Sequence, residues 1–169
     1  MQSGNPAVPA ATTDLSPIRT RLVGHGALVL LVGGIFGFGY LFFLIGRIEL
    51  WPIPGAIPQQ LPGTIKAWRM AHLEGIMNGL FLWLFAAILP LIPVSTVVAR
   101  RITTAFIAMA WLLPFASILD ALFPNSRGLA FHGPFTNYLA FFMFYVGIVW
   151  SMWALGMIAW TCLRPQPKP

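Results

Sequence analysis

Four long apolar segments constrain the fold of this chain more than any other feature. They cover residues 22–45, 67–92, 102–123 and 135–163 approximately. Each is close to the roughly 20 residues that an α-helix needs to span a bilayer. Of the 169 residues, 58% are hydrophobic and only 8% are charged, which excludes an ordinary soluble domain. The sequence therefore predicts an all-α, polytopic integral membrane protein folded as a bundle of four transmembrane helices.

The segments outside these runs are predicted to lack regular structure. Residues 1–20, rich in Ala, Pro, Thr and Ser, are expected to form a disordered N-terminal tail, and residues 164–169 a disordered C-terminal tail. Residues 21–163 then form a single transmembrane domain. The linker 46–66 contains four prolines, which exclude a helix there. Because the linker is also apolar, we expect it to fold back along the membrane surface as a lid.

The distribution of charge predicts the orientation in the membrane. The chain contains ten Lys and Arg but only four Asp and Glu. No basic run is interleaved with aromatic residues, which excludes nucleic acid as a partner. The bilayer is the expected partner instead. Four spans place both termini on one side, with six basic residues there and four on the other side. The positive-inside rule then predicts a multi-pass protein of the bacterial inner membrane with cytoplasmic termini. The single cysteine, Cys162, allows no internal disulfide.

Polar residues enter the second apolar segment at positions 71–79. His72, Glu74 and Asn78 lie there beside Gly75 and Gly79, and ionisable residues within a span are functional candidates. Helical periodicity predicts His72, Asn78 and the two glycines on one face and Glu74 on the opposite side. Two interpretations stay open. A flat group such as haem or an aromatic ligand lies on the glycine face, or the glycines pack against another helix with His72 and Asn78 as interhelical hydrogen-bond partners.

Other polar residues are expected in the same leaflet as this stretch. Asp120 lies near the end of the third segment, and Arg127 and His132 lie in the loop that follows it. We therefore expect one site in this leaflet. His25 begins its segment on the opposite side and is expected to be an interfacial or capping histidine.

Several short motifs resemble the styrene oxide isomerase family. They are Trp-Arg-Met-Ala-His at 68–72, Asn-Gly at 78–79 and Pro-Asn-Ser-Arg-Gly-Leu at 124–129, in a four-span chain of this size. The motif Ala-His-Leu-Glu-Gly-x-x-Asn-Gly at 71–79 is similar to the corresponding sequence of the related hydroxylaminobenzene mutases. The resemblance covers about residues 20–160.

The resemblance implies a small membrane isomerase that binds haem b and assembles as a homotrimer. Such enzymes convert an apolar aryl epoxide to an aldehyde by a Meinwald rearrangement, with ferric haem as Lewis acid. His72 matches the axial ligand of the haem iron, and Asn78 matches the asparagine that holds the substrate. Gly75 and Gly79 are predicted to line the cofactor. The family's aspartate and tyrosine fall near positions 109–110 and 117–118, where this chain has neither residue, so Asp120 is the catalytic candidate of that helix.

Three alternatives from other classes remain at this point. One is a mutase that rearranges an aryl hydroxylamine. The sequence Leu73-Glu74-Gly75 favours this alternative. Another is a haem-binding electron carrier, which usually needs two histidines on different helices. The third is a structural membrane subunit without a cofactor.

Overall fold

The structure, a computed structural model, describes residues 14–164, and these contain helices and no strand. All four helices are long and apolar enough to cross a membrane. The predicted all-α bundle of four spans is therefore confirmed. Its helices are α1 (Ser16–Ile45), α2 (Ile65–Ile88), α3 (Thr96–Leu122) and α4 (Phe135–Leu163), and a short 3-10 helix, Leu89–Leu91, prolongs α2.

Helix α1 begins at Ser16 and not near residue 22, so the prediction of a disordered tail is wrong for residues 16–20. Pro17 occupies the first turn, where its missing N–H costs no helical hydrogen bond. The Asp14 Oδ1 accepts a hydrogen bond from the Ser16 N–H at 2.9 Å. Arg19 Nε donates to the Ala86 carbonyl at 3.0 Å, which fixes this turn to α2. The remaining predicted tail residues, 1–13 and 165–169, lie outside the described part.

Helix α3 also begins earlier than expected, at Thr96. Ser95 caps it, because its Oγ accepts from the Val98 N–H at 3.5 Å. Arg100 and Arg101, expected in a loop, are therefore helical. Long arginine side chains can carry their charge from a helix end to the membrane surface, so the helix continues beyond its apolar part. Helix α2 ends at Ile88 because Pro90 has no N–H to continue it.

The helices pack in chain order, α1 on α2, α2 on α3 and α3 on α4, and α1 also touches α3. The main core lies in the half of the bundle that contains the end of α2 and the start of α3. Phe85 and Phe106 meet there edge to face, with ring centroids 4.7 Å apart, and both are fully buried. The outward surfaces of all four helices carry exposed apolar side chains, as expected of surfaces that face lipid.

Glycines bring α1 and α2 into backbone contact. A Cβ atom on Gly33 would lie 2.8 Å from the carbonyl carbon of Gly75, and one on Gly79 would lie 2.8 Å from the Gly26 carbonyl oxygen. No larger residue fits at such distances without displacing a helix. This close packing sets the position of the middle of α2 relative to α1.

The linker between α1 and α2 is non-helical, as predicted, and is fixed to the helix ends. Ile48 and Ile57 form an isolated antiparallel bridge. Gln60 Nε2 donates to the Phe43 carbonyl at 3.1 Å, and Trp68 Nε1 donates to the Pro62 carbonyl at 2.8 Å. The linker therefore ends in a defined position against α1 and α2.

Candidate functional site

The His72 side chain faces α1, with a fixed orientation. Its Nδ1 lies 2.8 Å from the Gly33 carbonyl oxygen. A carbonyl oxygen only accepts hydrogen bonds, so Nδ1 carries the proton and Nε2 keeps its lone pair in the neutral ring. Glycine is needed beside the ring, because a Cβ on Gly37 would lie 2.7 Å from Nδ1. His72 is half-buried, so it is a rigidly held imidazole at the edge of the α1–α2 contact.

The two glycines of the 71–79 stretch contact α1 and leave no room there for a ligand. Gly75 faces Gly33, and Gly79 faces Gly26 and Leu30. The packing interpretation of these glycines accounts for their positions. The prediction that a flat group lies directly on Gly75 and Gly79 does not fit within one chain, because the α1 backbone already occupies that surface.

Glu74 lies on a different side of α2 from His72, as predicted, and faces α3. The Ser117 hydroxyl donates to its Oε2 at 2.6 Å. Asn78 follows one turn later, and its Nδ2 donates to the Glu74 carbonyl at 2.9 Å. Since Asn78 follows His72 by six positions on the helix, their side chains leave the helix about 120° apart. The expectation that both share one face is therefore wrong, and Asn78 lies nearer the side of Glu74.

A cleft opens between the start of α2, the end of α3, the start of α4 and the loop before α4. It encloses about 350 Å³. Its polar wall contains Ser117 and Asp120, and the Arg127 Nε lies 3.9 Å from Asp120 Oδ2. The rest of the wall is mainly apolar and aromatic. The lining side chains of that part include Met70, Leu129, Phe141, Phe144, Tyr145 and Ile148.

The loop that carries Arg127 is organised by one buried residue of α4, Asn137. Its Oδ1 accepts from the Gly128 N–H at 2.8 Å, and its Nδ2 donates to the carbonyls of Ala130 and His132. Gly128 has φ of +65° and lies against Ala140, where a Cβ would be 2.8 Å from the carbonyl carbon. The Pro-Asn-Ser-Arg-Gly-Leu motif is thus a structured wall of the cleft.

The prediction that these polar residues form one site is correct in part. Lys66, Asp120 and Arg127 line the same cleft, whereas His72 lies on another side of α2 and His132 is exposed in the loop. The linker contributes no lining residue before Lys66, so the expected lid does not cover this cleft.

Sequence reasoning missed some of the interactions that organise the site. His25 was expected at an interface, but its Nδ1 accepts a hydrogen bond from Trp111 Nε1 at 3.1 Å, which joins α1 to α3. The sequence also does not predict the partners of Ser117 and Asn137. The available signal was that each is a polar residue in an otherwise apolar span, which requires a partner.

These features define a class of protein: a helical membrane protein with an oriented histidine inside a span and a polar and aromatic cleft between its helices. A sequence model of the family described as styrene oxide isomerase matches residues 18–163, and the chain belongs to this family. The styrene-oxide isomerase of Pseudomonas fluorescens is 27% identical over 157 residues, which cover 89% of this chain and 91% of that protein. The resemblance of the motifs is thereby confirmed, and the chain is an isomerase.

Proposed function

We propose that this protein is a haem b-dependent membrane isomerase that converts an aryl epoxide of the styrene oxide type to the arylacetaldehyde. The observation that carries the proposal is the orientation of His72. Its Nδ1–H donates to the Gly33 carbonyl at 2.8 Å, which leaves the Nε2 lone pair available to bind a haem iron. Histidines that bind metals are commonly fixed in this way through their other ring nitrogen.

The donor set of the chain suits haem better than a bare metal ion. Among the described residues, no three His, Cys, Asp or Glu side chains come close enough to hold an ion together. One imidazole is sufficient for haem, because the porphyrin brings the other four nitrogen ligands. When bound, ferric haem supplies a Lewis-acidic centre for the epoxide oxygen.

The reaction itself neither adds nor removes atoms. The bond between oxygen and the benzylic carbon breaks, hydrogen moves with its electron pair from the neighbouring carbon to the benzylic carbon, and the carbonyl double bond forms. Positive charge develops at the benzylic carbon before the shift. Aromatic faces stabilise such a cation, and an apolar wall keeps water from trapping it as a diol.

The aromatic cleft is suited to the aryl end of such a substrate. Phe141 and Tyr145 stack with centroids 6.0 Å apart and line the cleft together with Phe144. The remaining amide N–H of Asn78 donates to the substrate oxygen and orients it. Asp120 and Ser117 provide the polar end of the wall. Ser117 lies where the family's tyrosine is expected, whereas Asp120 lies away from positions 109–110, where the family's aspartate is expected.

We further propose that the working form is a homo-oligomer, a trimer by resemblance to the family. Within one chain, His72 faces α1, whereas the aromatic cleft lies between α2, α3 and α4. A site shared between neighbouring copies would bring a histidine of one copy to the cleft of another. The exposed apolar surfaces of α1 and α4 provide faces for such contacts and for the lipid of a bacterial inner membrane.

The proposed activity is tested by supplying membranes that contain the protein with styrene oxide and, separately, with hydroxylaminobenzene. We expect phenylacetaldehyde from the epoxide, without added nucleotide or reductant, and no aminophenol from the hydroxylamine. Membranes from cells without the protein give the background. Aminophenol without aldehyde would favour the mutase alternative. Only the sequence motif at 71–79 supports that alternative. Membranes that carry haem and leave the epoxide unchanged would contradict the proposal.

A further inference from the structure

Two neighbouring cavities lie at the opposite end of the bundle from the aromatic cleft. The first, of about 360 Å³, is formed where α1 and α3 begin, and the second, of about 600 Å³, lies between α3 and α4. Both are lined by Arg100 and Thr104, so they adjoin. Along α3, the distance from Arg100 to Asp120 is about 30 Å, the thickness of the hydrocarbon core. These cavities are therefore separate from the candidate active site.

The first cavity contains a buried hydroxyl without a partner. Thr103 is 3% exposed and lines this cavity. Its Oγ1 is the one buried side-chain polar atom within residues 14–164 that makes no hydrogen bond. Buried polar groups are nearly always paired, and an unpaired one in a native fold indicates a missing partner. Since Thr103 lines the cavity, its hydroxyl can donate to an acceptor that enters it.

The charges around Thr103 select an anion. Arg21 and Arg100 line the first cavity, and Arg100 and Arg101 line the second. Within the described chain, none of the three forms an ion pair. Asp14 also lines the first cavity, but its carboxylate accepts the Ser16 N–H at the start of α1. Three cations against one carboxylate leave the site positively charged.

The second cavity provides an apolar continuation toward the middle of the membrane. Below the two arginines its walls are Ala105, Val149, Trp150 and Trp153. Both tryptophans are nearly half exposed, so they border a groove on the outer surface of α3 and α4. A groove with a basic, hydroxyl-bearing head and an apolar body matches a molecule with an anionic head and a hydrocarbon chain.

We propose that this pair of cavities is a binding site for one anionic phospholipid. The phosphodiester lies among Arg21, Arg100 and Arg101 and accepts a hydrogen bond from Thr103. One acyl chain runs along Trp150 and Trp153 between α3 and α4. Basic pockets between membrane helices bind anionic lipid head groups by the same chemistry. The bound lipid would link the start of α1 and the start of α3 to the middle of α4.

The proposal is tested with the full chain purified in a neutral detergent and titrated with phosphatidylglycerol, phosphatidylcholine or free glycerol phosphate. Retained lipid is counted by native mass spectrometry, and the melting temperature is followed in parallel. We expect one phosphatidylglycerol per chain and a raised melting temperature, and neither effect from phosphatidylcholine. Equal effects of the two phospholipids would overturn the proposal. Stabilisation by glycerol phosphate equal to that by phosphatidylglycerol would show a free-anion site and overturn the lipid assignment.

Two variants and a control locate the site. Arg100→Gln with Arg101→Gln should weaken phosphatidylglycerol binding on the order of 10–30-fold, because each basic residue near a membrane contributes about a factor of five. The control Arg164→Gln with Lys168→Gln removes the same formal charge from positions that follow α4 in the sequence and should leave binding unchanged. Equal loss of phosphatidylglycerol binding in both double variants would mean a diffuse surface effect and would overturn the proposal.

Thr103→Val tests the hydroxyl. This substitution should raise the melting temperature without lipid and reduce the increase in melting temperature that lipid causes. A lower melting temperature without lipid would contradict the unpaired hydroxyl.

Discussion

The hydrogen bond from Ser117 to Glu74, 2.6 Å long, joins α2 to α3 beside the cleft. Ser117→Ala would leave a partly buried carboxyl without this partner, so we expect a loss of about 1–3 kcal/mol in the free energy of unfolding. A double-mutant cycle with Glu74→Gln, measured by denaturant titration in detergent, should give a non-zero coupling energy. Ser151→Ala is the control, since that hydroxyl bonds only its own helix at the Ile148 carbonyl. Strictly additive losses would mean that the pair is not coupled.

Asn78 lies one turn beyond Glu74, and its amide can still make further hydrogen bonds. If it orients the substrate oxygen, Asn78→Ala should lower kcat on the order of 10–1000-fold, the effect of losing one positioned hydrogen bond. The haem content of the purified variant should stay unchanged, because His72 leaves the helix in another direction. Steady-state assays with styrene oxide and a pyridine haemochrome assay give the two values. An unchanged kcat would remove Asn78 from the site.

Helical periodicity correctly separated His72 from Glu74, because residues two positions apart point about 200° away from each other. The same periodicity separates Asn78 from His72 by about 120°, so the prediction that they share one face is wrong. The partners Gly33 and Ser117 were not predictable, since the sequence does not contain the rotation or register of one helix against another. The glycines of the 71–79 stretch illustrate the same limit. Their spacing fits either a ligand or a helix, and only the position of α1 decides.

The contact between α1 and α2 depends on glycine at particular positions and not on the glycine content of α1. Gly33 lies against Gly75, whereas a Cβ on the adjacent Gly34 would meet no atom within 4 Å. Gly33→Ala should therefore cost about 1–3 kcal/mol through overpacking, and Gly34→Ala should be neutral or slightly stabilising. Unfolding in detergent, followed by circular dichroism, measures both. Equal effects of the two substitutions would contradict the close packing of α1 on α2.

Helix boundaries were predictable where turn residues flank the apolar run. Helix α4 has the predicted bounds because Gly133 and Pro134 precede it and Arg164 and Pro165 follow. At α1 and α3, the apolar run begins after the helix does. Pro17 and the Ser95 cap mark the true starts, and arginines in the first turns concealed them. Amphipathic ends of this kind are helical for reasons of capping and not of hydropathy.

The topology of the whole molecule follows from composition, but its orientation depends on few charges. Six basic residues at the end that carries both termini against four at the other predict cytoplasmic termini. A reporter that is active only in the cytoplasm should be active when fused after residue 169 and inactive when inserted in the linker near Gly55. The linker is exposed there, and a Cβ on Gly55 would meet no atom within 4 Å. The opposite pattern would reverse the orientation.

His72 as the ligand of a haem iron is the central assignment for this isomerase, and the visible spectrum of the purified protein tests it most directly. The wild type should show a Soret band, which His72→Ala should abolish. His25→Ala should keep it, since the His25 Nδ1 is already bound to Trp111. Circular dichroism on each variant confirms that the helices remain. A colourless wild type, or a His72→Ala protein with full haem content, would contradict the assignment of His72 as the ligand of a haem iron.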